Sequence, residues 1–233
     1  MNAQRLVLLG LLIVPLLALA SGCAGPTVAG TAPDSFPRVV VLAHGYVEPI
    51  EGRNPIPGSD DGARRVASTV VLIEAAGAVI VADPGMVADR AIIVDALRAE
   101  GILPRDVTHV FISHHHPDHT LNAAMFPRAA VVDFWGVYQD DLWEDHPDHF
   151  EIAPGVRVVR TPGHTHEDAS LLIEASDGTY AITHLWWNEQ MQPEVDPLAE
   201  DAEAMEVHRD MILREADWII PGHGRMFRNP SRG

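Results

Sequence analysis

Short apolar runs, separated by turns rich in Gly, Pro and Asp, recur along most of the chain. Such runs are typical of β-strands, and Gly77 marks a hairpin turn between two of them. The predicted strands are 39–43, 69–74, 78–82, 107–112, 129–133, 156–160, 170–174, 180–183 and 217–220.

Two other segments show the spacing of three to four residues that is typical of amphipathic helices. Segment 88–100 is stopped by Gly101, and segment 201–215 precedes the last predicted strand. Their apolar stripes are Ala88, Ile92 and Ala96 in the first and Ala204, Met205, His208 and Ile212 in the second. Strands and helices alternate without an internal repeat, so spacing alone supports a mixed α/β fold.

Composition fits one globular domain. The chain has 233 residues, of which 47% are hydrophobic, and this is enough for a sizeable core. The net charge of −17 and the lack of a basic run disfavour nucleic acid as a partner. The pairs Arg64–Arg65 and Arg225/Arg228 are interpreted as solvated surface groups or single-contact groups.

Residues 1–23 have the layout of a secretory signal. One basic side chain precedes the apolar run 6–20, and small residues follow up to Cys23. Because the apolar run is short, a signal peptide is the preferred interpretation over a membrane-spanning helix. We expect a bacterial lipoprotein that is exported and anchored in the cell membrane by a lipid on Cys23, facing the extracytoplasmic side. The alternative is an incidental cysteine at a cleavage site. Residues 24–37 are predicted to be a flexible tether and 38–233 the folded domain.

Most of the candidate metal-binding side chains occur in one run, Ser113-His114-His115-His116-Pro117-Asp118-His119, directly after a predicted apolar strand. Imidazoles and a carboxylate are ligands that Zn²⁺ accepts, and four potential ligands occur within six residues. Two distant histidines, His164 and His223, also lie in Gly-containing turns after apolar runs. A metal site assembled from three loops is therefore predicted.

This combination resembles the metallo-β-lactamase-fold hydrolase superfamily, whose signature is H-x-H-x-D-H followed by two separated histidines and an aspartate. The resemblance runs from about Val39 to about Phe227, and within the superfamily the chain is similar to the small metallo-β-lactamase-domain-containing protein 1 group. It implies an α/β fold, the four-layer αβ/βα sandwich, with the metal site at one edge between two sheets. It also implies the metal ligands, which are His114, His116 and His164 for a first metal and Asp118, His119 and His223 for a second.

One position departs from the superfamily pattern. The aspartate that bridges both metals follows a strand, and here 180–183 is followed by His184. A neutral imidazole offers one lone pair and cannot bridge two cations. His184 is therefore predicted to be a terminal ligand of the second metal, and one or two Zn²⁺ per chain are expected.

The remaining polar residues near these motifs are expected to be structural. His115 should point away from the cluster, and Asp83 should form hydrogen bonds near the site instead of binding metal. The run 145–149 copies the motif but follows no buried strand. Further expectations are a structural His44, a core His208, a His166 at the pocket rim or behind the ligands, and Trp186 and Trp187 either lining a pocket or packing beneath the loop.

The resemblance implies hydrolysis by a hydroxide bound to Zn²⁺, which lowers the pKa of bound water to about 7. Asp118 is the predicted catalytic residue, since it would orient the nucleophile and pass a proton to the leaving group. Export and acidity favour a small ester, lactone, thioester or β-lactam as substrate. The alternatives are a non-catalytic or weakly active metal-binding lipoprotein and a phosphodiesterase or ribonuclease.

Overall fold

The computed structural model describes residues 36–52 and 63–232 and contains strands, three α-helices and short 3₁₀ turns. The strands are β1 (Arg38–Ala43), β2 (Tyr46–Pro49), β3 (Arg64–Ala67), β4 (Val70–Ala75), β5 (Ala78–Ala82), β6 (His109–Phe111), β7 (Ala130–Val132), β8 (Gly136–Gln139), β9 (Leu142–Asp145), β10 (Phe150–Ala153), β11 (Val156–Arg160), β12 (Ala169–Ala175), β13 (Gly178–Thr183), β14 (Trp218–Pro221) and β15 (Phe227–Arg228). The helices are α1 (Ala91–Ala99), α2 (Pro117–Thr120) and α3 (Ala202–Glu215).

Two large sheets form the centre of the molecule. The first has the order β1-β4-β5-β6-β7-β8-β9 and the second has the order β10-β11-β12-β13-β14-β15. Alternate side chains of each sheet point into the space between them, and there Ile73, Ile80 and Phe111 of the first sheet belong to one buried cluster with Leu171 and Ile173 of the second. Each such side chain stabilises the fold by about 1.5–3 kcal/mol relative to an exposed one.

Helices cover the outer faces of both sheets. Ile93 and Leu97 of α1 pack against the outer residues of the first sheet, such as Leu72. Met205 and Ile212 of α3 pack in the same way against the second sheet. The four layers confirm the predicted α/β sandwich.

The apolar stripe predicted for α1 is wrong. The helix begins at Ala91, three residues later than expected, where Asp89 Oδ1 accepts the backbone N–H of Ala91 at 2.8 Å. Ile93 and Leu97 are its buried residues, whereas Ile92 is 44% exposed. A spacing of four residues from Ile92 or from Ile93 fits an amphipathic helix equally well, and the structure buries the stripe of Ile93 and Leu97.

The face predicted for α3 is partly right. Asp201 caps the helix by accepting the backbone N–H of Ala204, and Met205 and Ile212 are buried. His208 is half-buried and bonds through Nδ1 to the carbonyl of Pro162 at 2.8 Å, so it lies at the margin of the core. Arg209 is buried instead, because backbone carbonyls such as that of Leu185 accept its N–H groups.

All nine predicted strands are present, with ends that differ by at most two residues. The prediction missed β2 and β3, which pair as a separate hairpin, and also β8, β9, β10 and β15. Every residue of β9 is exposed, so no alternation of apolar and polar positions marks it. The predicted signal segment 1–23 and most of the predicted tether 24–37 lie outside the described residues.

Candidate metal centre

The strand ends bring the predicted ligands to one edge of the two sheets. In the first sheet β5 and β6 are parallel and lead to Asp83 and His114. In the second sheet β13 and β14 are parallel and lead to His184 and His223. Strand β11 runs in the same direction as β13, since both are antiparallel to β12, and it leads to His164. Side chains far apart in sequence therefore meet at one point.

The structure brings together the three histidines predicted for the first metal. One ligand atom from each of His114, His116 and His164 lies within 4.8 Å of the others. His116 Nδ1 is 2.9 Å from His114 Nε2 and 3.2 Å from His164 Nε2. Two nitrogen ligands of a tetrahedral zinc site are about 3.3 Å apart, given Zn–N bonds of roughly 2.0 Å. The spacing of this triplet fits a cation of that size.

The residues predicted for the second metal form a neighbouring triplet, Asp118, His119 and His223. Asp118 Oδ2 lies 3.5 Å from His223 Nε2 and 3.7 Å from His119 Nε2. Asp118 and His119 lie on α2, whose first residue is Pro117, a favourable residue at the start of a helix. This short helix turns both side chains toward the strand ends.

His184 lies between the two triplets. Its ring centroid is 4.2 Å from that of His164, 4.5 Å from that of His114 and 5.0 Å from that of His223. Its Nε2 is 3.1 Å from His223 Nε2, and it can also join His114 and His119 in a third group of potential ligands. The residue that replaces the bridging aspartate is thus within reach of both metal positions.

Hydrogen bonds behind the cluster orient three of the imidazoles. Asp83 Oδ2 lies 2.9 Å from His119 Nδ1, Asp196 Oδ2 lies 2.7 Å from His164 Nδ1, and the carbonyl of Ala67 lies 2.8 Å from His223 Nδ1. Each acceptor receives a hydrogen bond from an Nδ1–H group, so the Nε2 lone pair of a neutral ring points inward.

Two imidazole nitrogens of the cluster indicate that its ligand atoms suit a cation. His119 Nε2 and His184 Nδ1 are buried and have no hydrogen-bond partner among the described residues. An unpaired buried nitrogen costs about 1–3 kcal/mol, and a divalent metal removes that cost. A set of imidazoles with one carboxylate matches zinc and similar transition metals better than Mg²⁺ or Ca²⁺.

Burial holds most of these rings neutral, which is the form that binds metal. It lowers the pKa of His114 and His184 well below the usual value, and it lowers the pKa of His223 to about 4. His119 differs, because the charge and hydrogen bond of Asp83 outweigh its burial and raise its pKa. A more basic imidazole is also a stronger metal ligand.

Three buried aspartates surround the ligands. Asp83 accepts the backbone N–H of Ser113 as well as bonding His119. Burial raises the pKa of Asp168 to about 6, and its Oδ1 is 3.9 Å from His114 Nδ1. Sequence reasoning missed Asp168 and Asp196. Asp196 lies in a loop without regular structure, and no periodicity or motif in the sequence identifies it.

The other histidines lie outside the cluster. His115 points away, as expected, and bonds Asp133 at 2.9 Å. His146, in the motif-like run 145–149, is buried and stacks on Phe150. His166 is exposed and bonds Glu200 at 3.0 Å. None of these rings belongs to a group of potential metal ligands among the described residues.

A cleft of about 340 Å³ opens over the ligands, and we call it the catalytic cleft. His116, Asp118, His164, His184 and His223 line its floor. Its walls are mostly apolar and consist of Val47, Val66, Met86, Trp187 and Leu198, with Arg64 among them. The two tryptophans have different positions: Trp187 lines the cleft, whereas Trp186 is buried in the core. Such a pocket fits a small, partly apolar molecule.

Comparisons with known proteins agree with this geometry. A model of the metallo-beta-lactamase superfamily matches residues 63–183. Metallo-beta-lactamase domain-containing protein 1 of Xenopus laevis is 32% identical over 211 residues, which span 87% of this chain and 86% of that protein. The likeness to that group expected from the sequence is therefore confirmed.

Two solved structures share the fold. A putative metallo-beta-lactamase from Thermotoga maritima has a TM-score of 0.64 at 19% identity, over 83% of this chain and 99% of that one. An N-acyl homoserine lactone hydrolase, solved with the product N-hexanoyl-L-homoserine at its catalytic metal centre, has a TM-score of 0.60 at 18% identity. That comparison covers 82% of this chain and 93% of the hydrolase.

Proposed function

Because the chain belongs to the metallo-β-lactamase superfamily and is a metal-dependent hydrolase, we propose that it uses Zn²⁺ to hydrolyse a small ester, lactone, thioester or β-lactam. The observation that carries the proposal is the set of inward-facing nitrogens at the floor of an apolar cleft. The lactone hydrolase with its product at the metal centre supports a small carbonyl substrate.

We assign one cation to each of the two triplets of ligand residues. His114, His116 and His164 would hold one cation, and Asp118, His119 and His223 would hold a second. Bound Zn²⁺ supplies Lewis acidity toward water and toward a carbonyl oxygen at neutral pH.

Asp118 is the residue placed to handle protons. It lines the cleft, is only half-buried, and presents Oδ2 toward the second triplet. One carboxylate oxygen can accept a hydrogen bond from the attacking water and take up the proton that this water loses, while the side chain stays fixed on α2. The same group can then pass that proton to the leaving oxygen, sulfur or nitrogen.

The walls of the cleft orient the substrate and exclude water. Val47 and Val66 face each other across the β2–β3 hairpin, and Trp187 closes another side. Asp196 accepts a hydrogen bond from the indole Nε1 of Trp187 at 3.1 Å and also bonds His164. The same carboxylate therefore fixes a wall residue and a ligand. The apolar part of a substrate that contacts Trp187 would then have a fixed position relative to the metal ligands.

We also propose that the protein acts outside the cytoplasm, attached to the membrane by a lipid on Cys23. The layout of residues 1–23 supports this proposal.

Metal analysis beside a substrate panel tests the hydrolase proposal. We expect bound zinc, with hydrolysis of at least one carbonyl substrate from an ester, lactone, thioester and β-lactam panel and none of a phosphodiester. Chelation should abolish this activity. His116→Ala should remove most of the zinc and lower kcat/KM at least about 100-fold, since it deletes a ligand.

His115→Ala is the matched control, because this neighbouring ring points away toward Asp133. It should leave zinc content and kcat/KM close to wild type. Zinc-loaded protein that hydrolyses no carbonyl substrate, or activity that survives chelation, would refute the proposal.

A further inference from the structure

A second cleft of about 660 Å³ adjoins the catalytic cleft. Arg64, Val66 and Met86 line both, so the two clefts meet along the β3 strand and the turn after β5. Arg65 and Arg90 also line the second cleft, and we call it the arginine cleft. Three arginines thus line a cleft that adjoins the one over the metal ligands.

Two of these arginines, Arg65 and Arg90, have no partner for their charge among the described residues. Asp89 is the one acidic residue among its described lining, and its Oδ1 already accepts the N–H of Ala91. The exposed side chains of Arg65 and Arg90 make no hydrogen bond or ion pair with any residue that the structure describes. Glu48 is opposite Arg65 in the hairpin register, yet the two form no ion pair in the described part of the chain.

This concentration of charge contrasts with the rest of the protein. The chain carries 33 acidic residues against 16 arginines and no lysine. Several arginines elsewhere pair with carboxylates, as Arg38 does with Glu74 and Glu100, and Arg157 with Glu215. Unpaired guanidinium groups in a concave site attract anions, and their planar fork suits carboxylate and phosphate oxygens.

We propose that the arginine cleft binds a carboxylate or phosphate group of the substrate, whose scissile carbonyl lies over the metal ligands. The proposal rests on the proposed hydrolase function and narrows its substrate to an anionic ester, lactone, thioester or β-lactam. The apolar residues Val66 and Met86, which the two clefts share, would contact the chain between the anionic group and the scissile bond.

Paired substrates test this assignment. The zinc-loaded protein is given p-nitrophenyl butyrate, which is neutral, and mono-p-nitrophenyl glutarate, which carries one carboxylate. Arg65→Gln/Arg90→Gln should lower the preference for the anionic ester, as a ratio of kcat/KM values, by about 10- to 100-fold, the range of one or two charge-assisted hydrogen bonds. The loss should appear mainly as a higher KM for the anionic ester.

Arg128→Gln/Arg214→Gln is the matched control. Both are exposed arginines outside the two clefts, and the double variant makes the same change in net charge. It should keep the wild-type preference within about twofold, because exposed charges at a distance are screened by salt.

Titration calorimetry with propionate and with methyl phosphate separates the two kinds of anion and does not depend on turnover. The probe that binds more tightly identifies the anionic group that the cleft prefers. Arg65→Gln/Arg90→Gln should weaken the binding of that probe at least about 10-fold. If the wild type hydrolyses neither ester nor any other carbonyl substrate of the panel but shows this arginine-dependent binding, the hydrolase proposal fails and the anion site stands. Unchanged ester preference and unchanged anion affinity in Arg65→Gln/Arg90→Gln would overturn the anion site.

Discussion

His184 stands where the superfamily pattern has a bridging aspartate, and its ring lies between the two ligand triplets. An aspartate would place a negative charge between two cations, whereas a neutral imidazole adds none. Asp118 is then the one charged ligand in the described cluster, and the compensating carboxylates Asp83, Asp168 and Asp196 lie behind the rings. Two divalent cations therefore repel each other more strongly here than across a shared carboxylate.

This argument predicts an uneven loading of the two positions. His184→Ala should reduce metal at the second position while sparing the first, because His114, His116 and His164 remain. His184→Asp should restore a bridge and raise the metal content toward two per chain. Metal analysis after dialysis at a fixed free zinc concentration measures both effects.

His115→Ala is again the control and should match the wild type. Wild-type protein that already holds two tightly bound metals, with His184→Ala changing neither, would contradict a ligand role for His184. Hydrolysis can survive that outcome, since three protein ligands with an open position suffice for catalytic zinc.

Most candidate ligands could be predicted from the sequence because they follow an apolar run and belong to a recognisable motif, whereas His184 was identified only by its position after 180–183. Asp196 carries no such signal, although it bonds both His164 and Trp187. Its contact with His164 spans 32 residues and depends on how one irregular loop folds back over the site. The position of Arg65 in a cleft was also missed, because a pair of arginines in a sequence looks the same whether it faces open solvent or a cleft.

Among the elements, the buried strands were predictable and the exposed ones were not. Every residue of β5 is buried, so its sequence is a continuous apolar run that only a core strand explains. Most residues of the hairpin strands β2 and β3 are exposed or half-buried, so neither strand has the apolar run of a core strand. The two strands are recognised only by their antiparallel pairing with each other. That hairpin supplies Val47, Arg64 and Val66 to the catalytic cleft, so the walls were less predictable than the floor.

The turn after β5 and helix α2 fit together without spare room. The carbonyl of Asp118 accepts the N–H groups of Ser68 and Met86, both at 3.2 Å. A Cβ added to Gly85 would lie 1.5 Å from that same carbonyl oxygen. Because the oxygen is a backbone atom of α2 and a Cβ is held rigidly by the backbone of Gly85, the clash is relieved only if α2 or the turn after β5 moves.

Gly85→Ala should therefore shift α2 and the ligands Asp118 and His119 that it carries. We expect a loss of stability of about 1–3 kcal/mol, the usual cost of overpacking, together with weaker binding at the second metal position. Urea unfolding and metal titration measure the two effects. The first metal position should be affected less, since His164 and His114 follow other strands.

Gly101→Ala provides the comparison. Gly101 has a φ of +78° at the end of α1 and open space around its Cα, so alanine there adds backbone strain of roughly 1 kcal/mol and no collision. It should lower stability and leave both metal affinities unchanged. Equal metal affinities in the Gly85→Ala variant and the wild type would show that α2 tolerates the added methyl group.

Considered as a whole, the molecule combines an acidic surface with a metal site and an arginine cleft at one edge of its sandwich. A net charge of −17 raises solubility and repels polyanions such as RNA, while the local field of the arginines can still attract a small anion. No helix in residues 36–52 and 63–232 is long and apolar enough to cross a membrane. The proposed attachment to a membrane rests on the layout of residues 1–23.

Cys23→Ser tests that attachment in a bacterial host. If a leader ending at Gly22 is removed and Cys23 carries lipid, the wild type should fractionate with membranes and the variant should be released. A single acyl chain gives only marginal binding, so stable retention requires more than one chain on the cysteine. Intact-mass analysis of the mature protein measures both the cleavage site and the added lipid. Retention of the variant in the membrane fraction, or a mature protein that starts elsewhere, would contradict the proposed lipid anchor. Neither outcome would affect the proposed hydrolase function.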